Sequence, residues 1–375
     1  MKVAFYIGRL NRGGAETLLA DIFSMKETLP FEPLCVYRSE GNLSDAFHST
    51  GVRMKRLPRK KSWLVYMIRL RYLLLSEKVE IVHAQTSLNA IIAILCTLFT
   101  PIKVVNTFHG FGFARSPKIL RRFVFRGCDR LVFVSDYEKS YYLQLGDFGV
   151  RNKCEVVYNG VNFDKFKLKD HKSESDELIN ICMVGSFAEG RNHLFVCKFI
   201  NHLKQKGVNF HFTFIGGARV SEPKVYEDCV NYCTEHDLMN HVTFAGLCDD
   251  VPQLLATMDA FVYATRHDSF GIAVMEAIAS GLPTFVNDWG VMNELTKDGK
   301  LASLYESNNI DSLYEKFVHF LHQRSEYQSD AYNNALEVRM IYSIENHIAN
   351  LARIYYALLS PHLRMKKEVG EGNSR

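Results

Sequence analysis

The chain contains 375 residues, of which 47% are hydrophobic and 23% are charged. That composition is ordinary for a globular protein and excludes collagen-like, low-complexity and disordered classes, while the length allows two domains. The net charge of +4 conceals an asymmetry, because residues 1–170 carry a net charge of +12 and residues 171–375 a net charge of −8. The basic half favours an anionic partner, unless it has only a solvated basic surface.

Short apolar runs alternate with amphipathic stretches in the first half of the chain. We predict strands at residues 3–7, 33–37, 80–83, 103–108 and 130–134. Helices are predicted between them, including one at residues 15–25 and a buried one at 88–100, which is shorter than the roughly 20 residues that span a membrane. This alternation indicates a parallel sheet with helices on both faces.

The second half repeats the alternation after a polar stretch at residues 165–177, where we place the domain boundary. A further strand is predicted before it, at residues 155–158. The strands predicted after it are at residues 178–184, 210–215, 242–245, 260–263 and 284–286, with one helix at 271–280 and a last helix at 344–359. The chain therefore contains two α/β halves of similar size.

The cysteines and the N-terminus indicate a cytoplasmic location. The nine cysteines are scattered, form no C-x-x-C pair and show no zinc-site spacing, which is typical of a reducing compartment. The first residues form a short apolar run that predicts a strand and not a signal peptide. No nucleic-acid-binding motif is recognisable, so a nucleic acid is not expected as a partner.

Two glycine-containing loops each join a predicted strand to a predicted helix. In the first loop, Gly13 and Gly14 would let the backbone approach a ligand, and the helix N-terminus would favour a phosphate. A tight turn without a ligand explains this loop equally well. In the second loop, Gly185 and Ser186 precede Arg191, whose guanidinium could clamp a phosphate. The alternative is a solvated arginine, although a cation is unfavourable at a helix N-terminus.

A third segment, residues 265–283, contains two acids eight positions apart. Asp268 lies in the loop after a predicted strand, and Glu276 lies within the helix that follows. Ser269 and Gly271 flank the start of that helix, whose amide groups are available to a ligand. The two carboxylates could accept hydrogen bonds from sugar hydroxyls or act as an acid–base pair. For an arbitrary pair of acids with this spacing, a purely structural role is the preferred interpretation.

Residues 268–283 resemble the E-x7-E segment of the retaining glycosyltransferases of family 4, which have the GT-B fold. Other segments match this family in the same order: residues 12–16 its N-terminal glycine loop, 107–110 its histidine-bearing segment, 134–135 and 157–161 the end of its N-terminal domain, and 184–193 its diphosphate loop. The resemblance covers about residues 1–300. Asp268 stands where the family usually has Glu, Ser186 where it has Arg, and Arg191 where it has Lys. These departures put donor preference, and activity itself, in question.

The resemblance implies an α/β fold with two Rossmann-like domains that face a cleft. Residues 1–168 would form the acceptor-side domain and residues 169–343 the nucleotide-sugar-binding domain. The C-terminal helix and tail, residues 344–375, would pack back on the first domain. The donor would lie between the domains and mostly on the second. No metal and no cofactor is expected, because an arginine and helix amide groups can stabilise a departing diphosphate.

The resemblance also implies a role for each candidate residue. Glu276 would accept hydrogen bonds from the ribose, and Asp268 would hold hydroxyls of the transferred sugar. Arg191 would neutralise the departing diphosphate, and His109 would approach the hydroxymethyl group of the sugar. The other donor-binding residues would be those of the glycine loops and the helix start: Gly13, Gly14, Gly185, Ser186, Ser269, Phe270 and Gly271.

The implied function is that of a retaining hexosyl- or N-acetylhexosaminyltransferase, with a UDP-sugar favoured as the donor. The acceptor would be a saccharide or lipid-linked, and the setting the assembly of a cell-surface polysaccharide. One alternative is a GT-B epimerase or hydrolase that acts on a nucleotide sugar. The other is a non-catalytic nucleotide-sugar-binding partner subunit, which Asp268 and Ser186 would explain.

Two basic clusters in the first half predict a peripheral contact with the cytoplasmic face of a membrane. Residues 53–71 resemble a helix that lies on anionic lipid, because they mix basic residues with Trp63, Leu64, Tyr66, Met67 and Ile68. The second cluster comprises Arg115, Lys118, Arg121, Arg122 and Arg126. Two ordinary helices with solvated basic faces are nearly as good an interpretation.

Overall fold

The computed structural model describes residues 1–59, 62–146, 148–169, 178–248 and 250–360. The chain divides into two compact units. Unit 1 comprises Met1–Gly160 together with the segment that begins at Ile344, and unit 2 comprises Val161–Ser343. Each unit is an α/β structure built on one parallel sheet, which confirms the predicted fold class.

Seven parallel strands form the sheet of unit 1 within the described residues. In chain order they are β1 (Lys2–Arg9), β2 (Glu32–Ser39), β3 (Arg53–Arg56), β4 (Ile81–Ala84), β5 (Lys103–Phe108), β6 (Arg130–Phe133) and β7 (Cys154–Val156). Their order across the sheet is β3-β2-β1-β4-β5-β6-β7, so it reverses beside β1. The prediction of one interfacial helix over residues 53–71 is wrong in its first part, because β3 pairs with β2 and the helix begins only at Trp63.

Helices cover both faces of this sheet. They are α1 (Gly14–Ser24), α2 (Ser44–Ser49), α3 (Trp63–Ser76), α4 (Ser87–Thr97), α5 (Lys118–Gly127) and α6 (Asp136–Gln144). Helices α3 to α6 pack on one face, in the same buried cluster as Ala4. Helices α1 and α2 pack on the other face, in the same cluster as Phe5. Because neighbouring strand residues are buried on opposite faces, the central strands are continuous apolar runs in the sequence.

Six parallel strands form the sheet of unit 2 within the described residues. They are β8 (Ile179–Val184), β9 (Phe210–Ile215), β10 (Val242–Gly246), β11 (Ala260–Tyr263), β12 (Thr284–Asn287) and β13 (Ser303–Tyr305). Their order is β10-β9-β8-β11-β12-β13, with the reversal beside β8. The short edge strand β13 is absent from the prediction.

The helices of unit 2 are α7 (His193–Gln205), α8 (Pro223–Glu235), α9 (Val251–Ala256), α10 (Ile272–Ala279), α11 (Gly290–Leu295), α12 (Ile310–His322) and α13 (Arg324–Ile341). Helix α10 begins directly after Gly271, whose φ of 101° favours glycine over any residue with a Cβ atom. No helix in the described part of either unit is long and apolar enough to cross a membrane.

The last helix, α14 (Ile344–Leu359), packs within unit 1. Ile348 and Leu351 join the buried cluster that contains Phe5. The hydroxyl of Tyr355 lies 2.5 Å from Nδ1 of His83, which is buried in β4. This helix therefore returns to the first unit, as the GT-B resemblance implies.

The division between the units falls before Val161, earlier than the predicted boundary after residue 168. The N–H of Val161 donates to the carbonyl oxygen of Tyr342 (2.9 Å), and that of Lys169 donates to the carbonyl oxygen of Ser280 (3.0 Å). Both ends of this segment are thus bound to unit 2. Composition placed the boundary at the polar stretch, of which residues 170–177 lie outside the described residues.

We predict that Tyr355→Phe destabilises the protein. Because Tyr355 and His83 are both buried, the substitution removes the partner of a buried histidine nitrogen, which costs about 1–3 kcal/mol in the free energy of unfolding. Urea unfolding measures this change. The neighbouring Tyr356→Phe is the matched control, because that hydroxyl lies on the surface and bonds the carbonyl oxygen of Pro30. The control should lose less than about 0.5 kcal/mol, and equal losses in the two variants would contradict the prediction.

Candidate functional site

The candidate site of unit 2 lies where loops leave the carboxyl ends of the neighbouring strands β8 and β11. The strand order reverses at this point, and in open α/β sheets ligands bind at such a reversal. The two loops pair with each other: Arg191 and Thr265 form an antiparallel bridge, and the N–H of Arg266 donates to the carbonyl oxygen of Gly190 (2.8 Å). This pairing brings the second glycine loop against the segment that carries Asp268.

Arg191, Tyr263 and Asp268 form a chain of hydrogen bonds. The Nε atom of Arg191 donates to the hydroxyl of Tyr263 (3.0 Å), which donates to Oδ2 of Asp268 (2.5 Å). Arg191 also donates through Nη1 to Oγ of Ser186 (3.0 Å). The tyrosine is buried at the end of β11, and the arginine is partly buried. These contacts hold the guanidinium and the carboxylate in fixed positions beside each other.

The electrostatics of these three hydrogen-bonded side chains keep Arg191 charged and Tyr263 protonated. The hydroxyl of Tyr263 and the carboxylate of Asp268 raise the pKa of Arg191, against the lowering effect of burial. Burial raises the pKa of Tyr263, so its hydroxyl remains a hydrogen-bond donor. The arrangement suits a ligand that carries both an anionic group and hydroxyl groups.

Two glycines make room for this arrangement. A Cβ atom on Gly185 would lie 2.8 Å from Cδ and Nε of Arg191, so glycine at this position lets the arginine fold over the loop. A Cβ atom on Gly216, which follows β9, would lie 2.1 Å from the carbonyl oxygen of Gly185. Because that oxygen belongs to the backbone, it cannot move aside as a flexible side chain could.

A second arginine reaches the same loop from the neighbouring strand. Arg219 follows β9, and its Nε atom donates to Oγ of Ser186 (3.1 Å). The Ser186 hydroxyl therefore accepts from both Arg191 and Arg219. Nη1 of Arg219 lies 3.6 Å from Oε1 of Glu222, and the arginine side chain is 49% exposed. The guanidinium groups of Arg191 and Arg219 thus meet at this loop, in which residue 186 itself is a serine.

The remaining predicted residues of unit 2 lead into helix α10 or lie on it. Ser269 precedes Phe270, which is buried and packs edge-on against Tyr342 with ring centroids 5.9 Å apart. Gly271 caps the helix, and Glu276 lies partly buried in its second turn. The first amide groups of a helix have no intrahelical partner, so the start of α10 offers donors close to Asp268 in the chain.

The predicted site residues of unit 1 lie at the carboxyl edge of its own sheet. Gly13 caps α1, and Gly14 is its first residue. His109 follows β5, and its Nε2 atom lies 3.1 Å from Oε1 of Gln85, which follows β4. Burial lowers the pKa of His109, so its ring is neutral near pH 7. The predicted residues therefore fall into two groups, one in each unit.

Tyr263 and Arg219 are absent from the predicted residues. The sequence does contain a signal for Tyr263, because it ends a predicted strand five positions before Asp268 and its hydroxyl needs a partner when buried. No such signal exists for Arg219, since its contact with Ser186 joins loops from two different strands. Among the residues that the structure describes, no group of three or more His, Cys, Asp or Glu side chains is placed to hold a metal ion.

The two parallel sheets with their helices define a GT-B protein, whose second unit holds Arg191 and Asp268 on paired loops. The family model described as "Glycosyl transferases group 1" matches residues 164–338, and the model described as "Glycosyltransferase Family 4" matches residues 12–165. Together the two family models match residues 12–338, one model for each half of the chain. The chain belongs to the family 4 glycosyltransferases, which confirms the resemblance seen in the sequence.

Individual relatives agree with this assignment. HepE of Anabaena, solved in complex with UDP and glucose, matches with a TM-score of 0.81 at 16% identity over 94% of this chain and 99% of that chain. The UDP-Gal:alpha-D-GlcNAc-diphosphoundecaprenol alpha-1,3-galactosyltransferase of Escherichia coli is 25% identical over 271 residues, which are 67% of this chain and 69% of that protein. A GDP-mannose-dependent alpha-(1-6)-phosphatidylinositol monomannoside mannosyltransferase of Mycobacterium tuberculosis is 22% identical over 84% of this chain and 86% of its own length.

Buried histidines of unit 1 should make the protein less stable as the pH falls. Burial lowers the pKa of His83 to about 3 and that of His347 to about 4, whereas an unfolded histidine titrates near about 6.5. Their contribution to stability is therefore complete above about pH 6.5 and is lost as the pH falls toward 4. Each histidine contributes a slope of up to about 1.4 kcal/mol per pH unit.

Urea unfolding between about pH 7.5 and pH 5 measures this slope. His83→Gln should reduce the slope, because glutamine does not titrate. The exposed His322→Gln is the control and should leave the slope unchanged. A His83→Gln variant with the wild-type slope would contradict the prediction.

Proposed function

We propose that the protein is a retaining glycosyltransferase that moves a hexose or N-acetylhexosamine from a UDP-sugar to a saccharide or lipid-linked acceptor. The setting would be the assembly of a cell-surface polysaccharide. The observation that carries the proposal is the hydrogen-bonded chain of Arg191, Tyr263 and Asp268 at the strand-order reversal of unit 2. It offers a cation for a diphosphate and a carboxylate for sugar hydroxyls.

The comparisons support the finer parts of this proposal. The name of the E. coli relative gives UDP-Gal as its donor and HepE was solved with UDP, whereas the Mycobacterium relative is named for GDP-mannose. Two of these three proteins therefore favour a uridine nucleotide for this chain. The acceptor named for the E. coli relative is a diphosphoundecaprenol, and that named for the Mycobacterium relative is a phosphatidylinositol mannoside. Both names favour a lipid-linked acceptor for this chain.

Arg191 would stabilise the departing diphosphate. Breaking the bond between C1 of the sugar and the diphosphate leaves an oxocarbenium-like sugar and adds negative charge to the leaving group. A cation that is already held by Tyr263 and Ser186 stabilises this charge without reorganising. The amide groups at the start of α10 would donate further hydrogen bonds to the same charge. In this mechanism no metal ion is needed.

The two carboxylates would have different tasks. Asp268 uses Oδ2 to accept from Tyr263, while its Oδ1 atom accepts no hydrogen bond from any described residue and would take the hydroxyls of the transferred sugar. Glu276 would accept hydrogen bonds from the ribose. Because Tyr263 holds Asp268, the loss of one methylene relative to the usual Glu does not leave the carboxylate loose. His109, which is neutral, would act as a hydrogen-bonding partner of the sugar and not as a cation.

Arg219 would replace the arginine that the family usually carries at position 186. Its Nε atom already donates to the Ser186 hydroxyl, so a second guanidinium lies beside Arg191, with Glu222 as its ion-pair partner. The serine at position 186 would then mean only that the second arginine comes from the loop after β9. The loop would still have two cationic side chains, as in the family's usual pattern. Gly185 gives Arg191 room to fold over the loop, and Gly216 lets the backbone pass beside the carbonyl oxygen of Gly185.

Arg219→Ala should lower kcat/KM for donor turnover about 10- to 100-fold, because a hydrogen bond to a charged group contributes about 1.5–3 kcal/mol. The double variant Arg219→Ala/Ser186→Arg should recover activity, since it restores the arginine at the family's usual position. Lys224→Ala removes an exposed cation nearby on α8 and is the matched control. Steady-state nucleotide release measures all four proteins. A wild-type rate for Arg219→Ala would contradict the role of this residue.

Nucleotide release from UDP-, GDP- and ADP-sugars tests the proposed reaction. We expect release from a UDP-sugar, increased by a bacterial lipid extract or by oligosaccharides, and strongly reduced in Glu276→Ala. The exposed Glu227→Ala on α8 is the matched control and should keep the wild-type rate. EDTA should have no effect, because the charge on the leaving group is met by arginine and amide groups. NMR of the anomeric proton should show that the product keeps the donor's configuration.

Two results would replace this proposal with one of its alternatives. A new nucleotide sugar or a free sugar formed without any acceptor would indicate an epimerase or a hydrolase. Donor binding without turnover, across the whole acceptor panel, would indicate a non-catalytic partner subunit.

A further inference from the structure

One arginine at the carboxyl edge of the unit 1 sheet lies outside the predicted site residues. Arg38 is the last but one residue of β2 and is partly buried. Its Nη1 atom donates to Oδ1 of Asn89 (3.1 Å) in the first turn of α4, the helix that follows β4. Because β1 lies between β2 and β4, the Arg38 side chain passes over β1 to make this contact. Arg38 therefore lies at the strand-order reversal of unit 1, the place where open α/β sheets bind ligands.

Neutral groups hold the Arg38 guanidinium in place. Asn89 is fully buried, and its Nδ2 atom donates to the carbonyl oxygen of Tyr6 (2.9 Å), which fixes the amide that receives Arg38. A Cβ atom on Gly8 of β1 would lie 2.7 Å from Nη2 of Arg38, so the guanidinium lies directly against the strand backbone. A guanidinium has more N–H groups than Asn89 can occupy, so donors remain for a ligand.

The charge of Arg38 is not offset by an acid. Arg38 forms no ion pair with any residue that the structure describes. The hydroxyl of Tyr6 interacts with the guanidinium and lies 2.8 Å from the hydroxyl of Tyr66, but burial raises the pKa of Tyr6 and keeps it neutral. A partly buried cation without a counter-ion is unfavourable, so this position favours the binding of an anion.

The acid nearest to Arg38 in the chain is engaged elsewhere. Glu40 accepts through Oε1 from the hydroxyl of Tyr37 (2.8 Å), and Nε of Arg56 lies 3.9 Å from the same oxygen. The start of α4 also favours an anion, because the N-terminus of a helix is the positive end of its dipole. An anion bound by Arg38 would therefore meet two positive features.

Arg38 and His109 approach the start of α4 from opposite sides. His109 follows β5 and contacts Gln85, which follows β4, whereas Arg38 comes from β2 and contacts Asn89. The order of these strands in the sheet is β2-β1-β4-β5. The proposed function puts the transferred sugar at His109. A group bound by Arg38 would then lie beside that sugar, on the unit that is predicted to take the acceptor.

We propose that Arg38 binds a phosphate group of the acceptor. A guanidinium donates to two oxygens of one phosphate at once, a geometry that a neutral saccharide does not offer. The inference rests on the proposed function and adds to it that acceptors with a phosphate beside the saccharide are preferred over neutral ones. A lipid carrier and a phosphorylated saccharide both supply such a group, so the test includes a probe for each source.

Calorimetric binding of phosphate probes to the full-length protein tests this proposal. Saturating UDP is present, so that the proposed donor site of unit 2 is occupied. The probes are farnesyl diphosphate, with farnesol as its uncharged counterpart, and N-acetylglucosamine 1-phosphate, with methyl N-acetylglucosaminide as its counterpart. The wild type should bind at least one phosphate probe about tenfold more tightly than its counterpart. The preferred probe then identifies which source supplies the phosphate.

Three variants test the part of Arg38 in this binding. Arg38→Gln should weaken binding of the preferred probe about 10- to 100-fold, because hydrogen bonds to a charged group are lost. Arg38→Lys should weaken it less, since the charge remains although the planar fork is lost. Equal weakening in these two variants would indicate that Arg38 only supports Asn89, and would overturn the proposal. The exposed Arg353→Gln on α14, which packs on the other face of the sheet, is the matched control and should keep the wild-type affinity.

The binding of UDP separates a failure of this inference from a failure of the proposed function. The wild type and the Arg353→Gln control should bind UDP equally, and circular dichroism should show that every variant is folded. Failure of the wild type to bind UDP would overturn the proposed function and this inference with it. UDP binding together with equal affinity of the wild type and Arg38→Gln for both phosphate probes would overturn this inference alone.

Discussion

The candidate site depends on the pairing of the two loops that follow β8 and β11. The bridge between Arg191 and Thr265 joins a glycine loop to the segment with Asp268. A third strand fixes this bridge, because the buried Asn287 at the end of β12 accepts from the N–H of Thr265 (2.8 Å) and donates to its carbonyl oxygen (2.9 Å). Without this pairing, the arginine and the carboxylate would lie on two independent loops, and their separation would not be fixed.

Tyr263 determines how much of the charge on Arg191 is available to a ligand. A direct ion pair with Asp268 would neutralise the guanidinium and weaken its attraction for an anion. The hydroxyl of Tyr263 lies between the two groups instead, accepting from one and donating to the other. Both groups are held in place, yet each keeps hydrogen-bonding capacity for a ligand. Arg219 donates to the same Ser186 hydroxyl, while Glu222 lies 3.6 Å from its Nη1 atom and matches part of its charge.

The sequence was sufficient to predict the two parallel sheets, most of their strands and the loops that carry the site. These features follow from apolar periodicity and from the order of the motifs, which are properties of the chain itself. The predicted residues did not include Tyr263, although its position before Asp268 gave a signal, or Arg219, whose contact with Ser186 joins loops of two different strands. The sequence also did not predict the short strands β3 and β13, because each is recognised only by its pairing with a neighbouring strand. Unit 2 begins at Val161 because its N–H donates to the carbonyl oxygen of Tyr342, a contact that cannot be predicted from the composition.

The measurement that tests the central claim most directly is calorimetric binding of UDP and of uridine to the wild type and to Arg191→Ala. If Arg191 is positioned for the diphosphate, the variant should bind UDP about 10- to 100-fold more weakly and bind uridine as well as the wild type does. The difference in affinity between UDP and uridine measures the contribution of the two phosphates, because the base and the ribose are common to both ligands. Equal UDP affinity in the two proteins, with the variant folded, would contradict the claim that the paired loops hold this arginine for an anionic leaving group.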